Sequence, residues 1–150
     1  MAKKILIIDN DIDSINGVKT KLEESGYTVS NVKDGVAGIH SVHSENPELI
    51  ILTYLLPHNM NGCELCSLIK RDIRFQEIPV IMISICSLKD VKSSIVEPPD
   101  CFIQKPCRYE DILIKIKELI NQSELKKQEL DRKLNDRDSQ WAERILNSRI

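Results

Sequence analysis

The sequence predicts an open α/β sheet of five parallel strands with helices on both faces. Three observations carry that reading. Short apolar runs alternate with segments of helical period in the order βαβαβαβαβα. Runs such as residues 5–8 and 49–52 are apolar at every position, as expected of strands buried on both faces of a parallel sheet. Polar residues close the runs: Asp9 after the first, Thr53 after the third, Ser84 after the fourth and Lys105 after the fifth. Sheets of this kind bind ligands at the carboxyl ends of their strands.

The elements follow in order. Residues 5–8 form the first strand. Ile12, Ile15, Val18 and Leu22 recur at helical spacing, and Ser25-Gly26 stops that helix, with Gly26 suited to a left-handed cap. Residues 27–32 are a short strand. Lys33-Asp34-Gly35 turns into a second helix carrying Ala37, Ile39 and Val42, which Asn46-Pro47 ends. Residues 49–52 are the third strand. A third helix starts near Asn61-Gly62 and carries Leu65, Leu68 and Ile69. Residues 80–83 are the fourth strand, and a short helix spans about residues 87–95, barred from continuing by Glu97-Pro98-Pro99-Asp100. Residues 101–104 are the fifth strand. The last helix begins near Tyr109 with Ile112, Leu113, Ile116, Leu119 and Ile120 on one stripe. The whole is the flavodoxin-like architecture.

Composition narrows the function. With 150 residues, 41% hydrophobic and 29% charged, the chain is an ordinary globular protein with room for one core and an appendage. A net charge of −2 implies neither nucleic acid nor an anionic membrane as a direct partner. No apolar stretch approaches the roughly 20 residues that span a bilayer. The apolar run after Met1-Ala2-Lys3-Lys4 is too short for a signal-peptide core, so the chain reads as cytoplasmic. Cys63, Cys66, Cys86, Cys101 and Cys107 are odd in number and do not suggest a disulfide framework. Cys63 and Cys66 form a CxxC, yet no second CxxC or histidine spacing completes a metal site, and three-residue spacing puts both on one helix face as core residues.

Residues 1–121 thus make one domain, and residues 122–150 a charged C-terminal helical extension. Residues 121–150 hold thirteen charged residues and no Pro or Gly. Their heptad spacing is poor: Lys127, Leu134 and Trp141 keep one register, while Leu130 and Arg137 share the other seam. A contact with a second copy, giving a homodimer through this helix, and a solvated helix are both compatible with the pattern.

The acidic cluster Asp9-Asn10-Asp11, the Pro57-Xaa4-Gly62 spacing, Ser84 and the Lys105-Pro106 pair together resemble the receiver domain of two-component response regulators, over about residues 3–121. The resemblance implies a phosphoryl group passed from a histidine kinase to an aspartate on the third strand. It implies Mg²⁺ held by acids after the first strand, and phosphoryl oxygens met by Ser84 and Lys105. It also implies a cis peptide bond at Pro106, and Phe102 as the aromatic switch. The chain departs from this pattern at several points. Thr53 stands in the acceptor position, and a hydroxyl cannot form an acyl phosphate. Asn10 stands where the principal metal-binding carboxylate is expected and offers no charge. Asp11 lies one residue too far along, although it and Asp9 would converge if the loop shifted. Ile85 follows Ser84 where a small residue is expected, and narrows access. Lys105 is left to pair with Asp9 or to bond Thr53. Asp9 is the one metal candidate among them, and no cofactor is expected.

These departures lead to the expectation of a degenerate receiver, a pseudo-receiver. It is not an enzyme, and it acts without phosphorylation through contacts with protein partners: a histidine kinase or a downstream effector domain. An alternative is non-standard phosphorylation at Thr53, Ser84 or a nearby acid. A third reading, a flavodoxin-like small-molecule binder, lacks any Gly-rich phosphate loop.

Overall fold

The computed structural model describes residues 2–148. Met1 and the last two residues of the predicted 122–150 extension lie outside the described residues. Five strands, β1 (Lys4–Ile8), β2 (Thr28–Val32), β3 (Leu49–Thr53), β4 (Val80–Ser84) and β5 (Cys101–Gln104), form one sheet in the order β2-β1-β3-β4-β5. Every neighbouring pair is parallel. This is the flavodoxin-like strand order. Among the described residues five α-helices connect and follow the strands: α1 (Ile12–Glu24), α2 (Gly35–Glu45), α3 (Gly62–Arg71), α4 (Leu88–Val91) and α5 (Tyr109–Asn147).

Alternating residues on each strand build two cores. Leu6, Ile8, Ile50, Leu52, Val80 and Met82 face one side, where Val42 of α2, Leu65 and Ile69 of α3 and Val91 of α4 cover them. Ile5, Ile7, Leu49, Ile51, Ile81 and Ile83 face the other, covered by Ile15 and Leu22 of α1 and by Ile112, Ile116 and Ile120 of α5. Cys63 and Cys66 are both buried in the first core.

Each of the first four helices starts from a side-chain cap. Asp11, Asp34, Asn61 and Ser87 accept from the backbone N–H of Ser14, Ala37, Glu64 and Asp90. Caps of this kind contribute about 1 kcal/mol each and define where each strand-to-helix loop ends. Gly26, at φ 96°, ends α1, with the Tyr27 N–H donating back to the Leu22 carbonyl at 3.1 Å.

Several expectations are corrected. Tyr27 precedes the second strand, which begins at Thr28. Ile12 and Leu68 share the helical period of core residues but are exposed. Ile12 sits in the first turn, ahead of the sheet contact made by Ile15. Leu68 falls between Leu65 and Ile69 at the margin of the buried arc, where a 3.6-residue period alone assigns the face loosely. The helix after β4 is a single turn followed by a 3₁₀ turn at Lys92–Ser94. The proline loop behind it is tied down by Asp100, whose carboxylate accepts from Val80 N at 2.8 Å and Lys70 Nζ at 2.7 Å.

The chain divides into two compact units, Met1–Ile120 and Asn121–Ile150. Residues 121–147 of the second unit are helical and mostly exposed. Among the described residues no helix is long and apolar enough to cross a membrane.

Candidate functional site

Parallel pairing brings the carboxyl ends of all five strands to one edge of the sheet. Ile8 pairs with Leu52, so Asp9 and Thr53 follow side by side. Thr53 pairs with Ile83, and Ser84 with Gln104. Lys105 is drawn in next to Ser84 by its backbone N–H, which donates to the Ser84 carbonyl at 2.7 Å. The Lys105–Pro106 peptide bond is cis. Residues distant in sequence therefore share one cleft because the strand ends do.

The charges in that cleft are few and largely mutual. Lys105 Nζ lies 3.5 Å from Asp9 Oδ2 and donates to Ser14 Oγ at 3.2 Å. The other Asp9 oxygen accepts from the Asp11 N–H at 3.0 Å. Both charged side chains are largely buried, where an ion pair left without one partner costs more than at the surface. Of the two partners expected for Lys105, Asp9 is present, and Ser14 of α1 takes the place expected for Thr53. Asp11 does not converge with Asp9: its carboxylate caps α1 and it is exposed, as is Asn10. Thr53 is 8% exposed and Ser84 1%. The Ser84 hydroxyl accepts from the Cys86 N–H at 3.0 Å. Phe102 is half-buried against the first core.

This donor set does not fit a divalent cation. Mg²⁺ is held through hard oxygen donors, with one or two carboxylates among them. Asp9 alone supplies one here, and its oxygens already face an ammonium and an amide N–H. Among the described residues no group of three or more His, Cys, Asp or Glu is placed to hold a metal ion.

The cleft encloses about 550 Å³, lined by Ile15, Gly17, Ile51, Thr53, Ile83 and Lys105 among others. Ile85, expected to narrow access, stands at its wall with a side chain 64% exposed. The chain leaves β4 at Ser84, so the next side chain is carried outward past the sheet edge. Ser14 and Gly17 went unnoticed in the sequence. The only signal available was Ser14's place three residues after a capping aspartate, which says nothing of a lysine 91 residues away.

The CxxC pair has no part in this cleft. Burial pushes the Cys66 thiol up to about 12 and also raises that of Cys63, with Glu64 adding to the latter. Since the thiolate is the reactive form, Cys63 and Cys66 should resist iodoacetamide at pH 8 in the folded protein and react only in denaturant. Peptide mapping after a labelling pulse checks this. Rapid labelling of either in the native state would contradict the packing described.

Comparison with known proteins agrees with the geometry. The description "Response regulator receiver domain" matches residues 5–117. The chain is 30% identical over 122 residues to the DNA-binding dual master transcriptional regulator RpaA of Synechocystis sp., covering 81% of this chain and 50% of that protein. It is 28% identical to the alkaline phosphatase synthesis transcriptional regulatory protein PhoP of Bacillus subtilis, covering 83% and 51%. The chain thus spans about half the length of these curated relatives. Among solved structures, the receiver domain of a signal transduction histidine kinase from Syntrophus aciditrophicus superposes with a TM-score of 0.74 at 33% identity, covering 80% of this chain and 91% of that one. Strand order, the residues gathered at the strand ends and the matched span lead to one conclusion: the chain belongs to the response regulator receiver domain family.

Proposed function

We propose that this receiver works without aspartyl phosphorylation and signals through protein contacts. One observation carries the reading: the acceptor position at the end of β3 holds Thr53, beside an Asp9–Lys105 pair that already satisfies the lysine. A threonine hydroxyl has no carboxylate oxygen with which to make an acyl phosphate, and the neighbouring Asp9 carboxylate is engaged by Lys105 and the Asp11 N–H instead of activating it. An unphosphorylated receiver with several carboxylates has excess negative charge around its lysine. Here one carboxylate meets one ammonium, so the neutral, paired arrangement is supplied by the residues themselves. On this reading Ser84, Phe102 and Lys105, in the switch and phosphate-contact positions, keep one arrangement without needing phosphate. The burial of Thr53 and Ser84 also weighs against modification of either hydroxyl by a Ser/Thr kinase.

Receiver domains interact with histidine kinases and effector domains, and two of the relatives are named as transcriptional regulators. The partner of this domain is proposed to be a protein of that signalling context, met in the cytoplasm. The domain itself contributes contact, neither catalysis nor direct nucleic-acid binding.

The test is intact-mass measurement after incubation with Mg²⁺ and acetyl phosphate, alongside Thr53→Asp. The natural protein is expected to gain no phosphoryl group. A gain by the variant alone would make Thr53 the single lesion and restore a metal-competent pocket, against the donor-set argument above. A gain by the natural protein would overturn the proposal, and fragment mapping would then show whether Asp9, Asp11 or a hydroxyl had accepted it.

A further inference from the structure

Four apolar residues of the second unit follow an eleven-residue period, while Leu125 and Leu146 stand off it. Leu130 and Leu134 are repeated by Trp141 and Ile145, each eleven residues further on. Eleven residues are three helical turns with a drift of only about 20°. At about 100° per residue the four side chains fall within an arc of roughly 60°, on a helix that is continuous through Asn147. Leu130 is 57% exposed, Leu134 46% and Trp141 65%. A seven-residue template splits this stripe, which is why the heptad pattern looked poor.

The flanks of the stripe are sorted by charge. Lys126, Lys133 and Arg144 lie along one edge, with Arg137 set towards the same side, while Glu124, Asp131 and Asp138 lie along the other; Lys127, in line with Ile145, is a basic residue on the acidic side of the stripe. The ion pairs of Arg132 and Lys133 with Glu129 run from the basic edge round the back of the helix and do not join the two edges. Sorting of this kind distinguishes orientations. In a parallel pair of identical helices, one edge of each helix faces the opposite edge of its partner; in an antiparallel pair, like edges meet. Parallel pairing would set Lys126 against Asp131 and Lys133 against Asp138 of the second copy, twice over by symmetry. Antiparallel pairing would set lysine against lysine and aspartate against aspartate.

We propose that this face binds a second copy of the chain in a parallel two-helix contact, with Leu130, Leu134, Trp141 and Ile145 as its seam and the acidic and basic edges selecting the orientation. The long stem of Arg137 packs along the seam with its guanidinium turned to the basic edge. The proposal concerns assembly and holds whether or not position 53 accepts phosphate.

Sedimentation equilibrium of the full chain over a micromolar concentration series tests it, with three proteins compared. The natural chain should dimerise. Lys126→Glu with Lys133→Glu makes both edges acidic and should weaken the dimer by about tenfold or more, from the loss and reversal of four surface ion pairs. Adding Asp131→Lys and Asp138→Lys to that variant restores opposite edges for a parallel pair alone, and dimerisation should return. A natural chain that stays monomeric throughout overturns the proposal and leaves the stripe to a different protein. Dimerisation indifferent to the first pair of substitutions, or not regained with all four, overturns it as well. All four positions are exposed, and an unchanged unfolding transition of the receiver unit confirms that folding is not what moved.

Discussion

Gly62→Ala is expected to destabilise the receiver unit by about 1–3 kcal/mol, or more if the backbone cannot give. A Cβ at position 62 would stand 2.2 Å from the Thr53 carbonyl oxygen and 2.9 Å from Tyr54 Cα. Both are backbone atoms, so no rotamer change relieves the contact. The approach is close because the chain turns back on itself after β3: the Gly62 N–H donates to the Tyr54 carbonyl at 2.7 Å, and α3 starts there under the Asn61 cap. Relief would require moving either the first turn of α3 or the end of β3, and the latter carries Thr53. Gly17→Ala is the matched control. It lies within α1 with nothing within 4 Å of its added Cβ, so the helix preference for alanine should leave stability unchanged or raise it by up to about 1 kcal/mol. Urea unfolding midpoints of the two variants should therefore move in opposite directions or differ plainly. Equal midpoints would mean that the loop between β3 and α3 is looser than described.

Ile116→Ala carries the other large effect, about 2–5 kcal/mol. Ile116 is fully buried between Ile112 and Ile120 on α5, against the second core of the sheet. Removing three heavy atoms there loses their transfer from water and leaves a void that a sheet of fixed strand spacing collapses poorly around. A melting temperature lower by on the order of 10 °C should follow for a unit of this size. Ile73→Ala gives the contrast: the same atoms are removed from a side chain 81% exposed, and the change should stay within about 0.5 kcal/mol. Thermal unfolding followed by far-ultraviolet circular dichroism reads both. A small effect at Ile116 would show that α5 does not rest on the sheet as described.

How much of this was legible beforehand differs by the range of the interaction involved. The five strands, their parallel order and the helix starts are local matters of apolar runs, helical period and capping side chains. The sequence by itself therefore determined the architecture and the set of residues brought to the strand ends. It also determined that position 53 offers a hydroxyl and no carboxylate, since that depends on residue type alone. Tertiary structure decided the rest. Ile12, Leu68 and Ile85 have core chemistry, yet each falls outside or at the margin of the surface its element packs against. Lys105 found Ser14 across 91 residues, because α1 begins just after the strand that leads into Asp9. Asp11 was taken by the N-terminus of α1 before it could serve the cleft. In each case the outcome depended on where a second, distant segment came to lie, and a linear pattern holds the preferences of a residue but not the neighbours that compete for it.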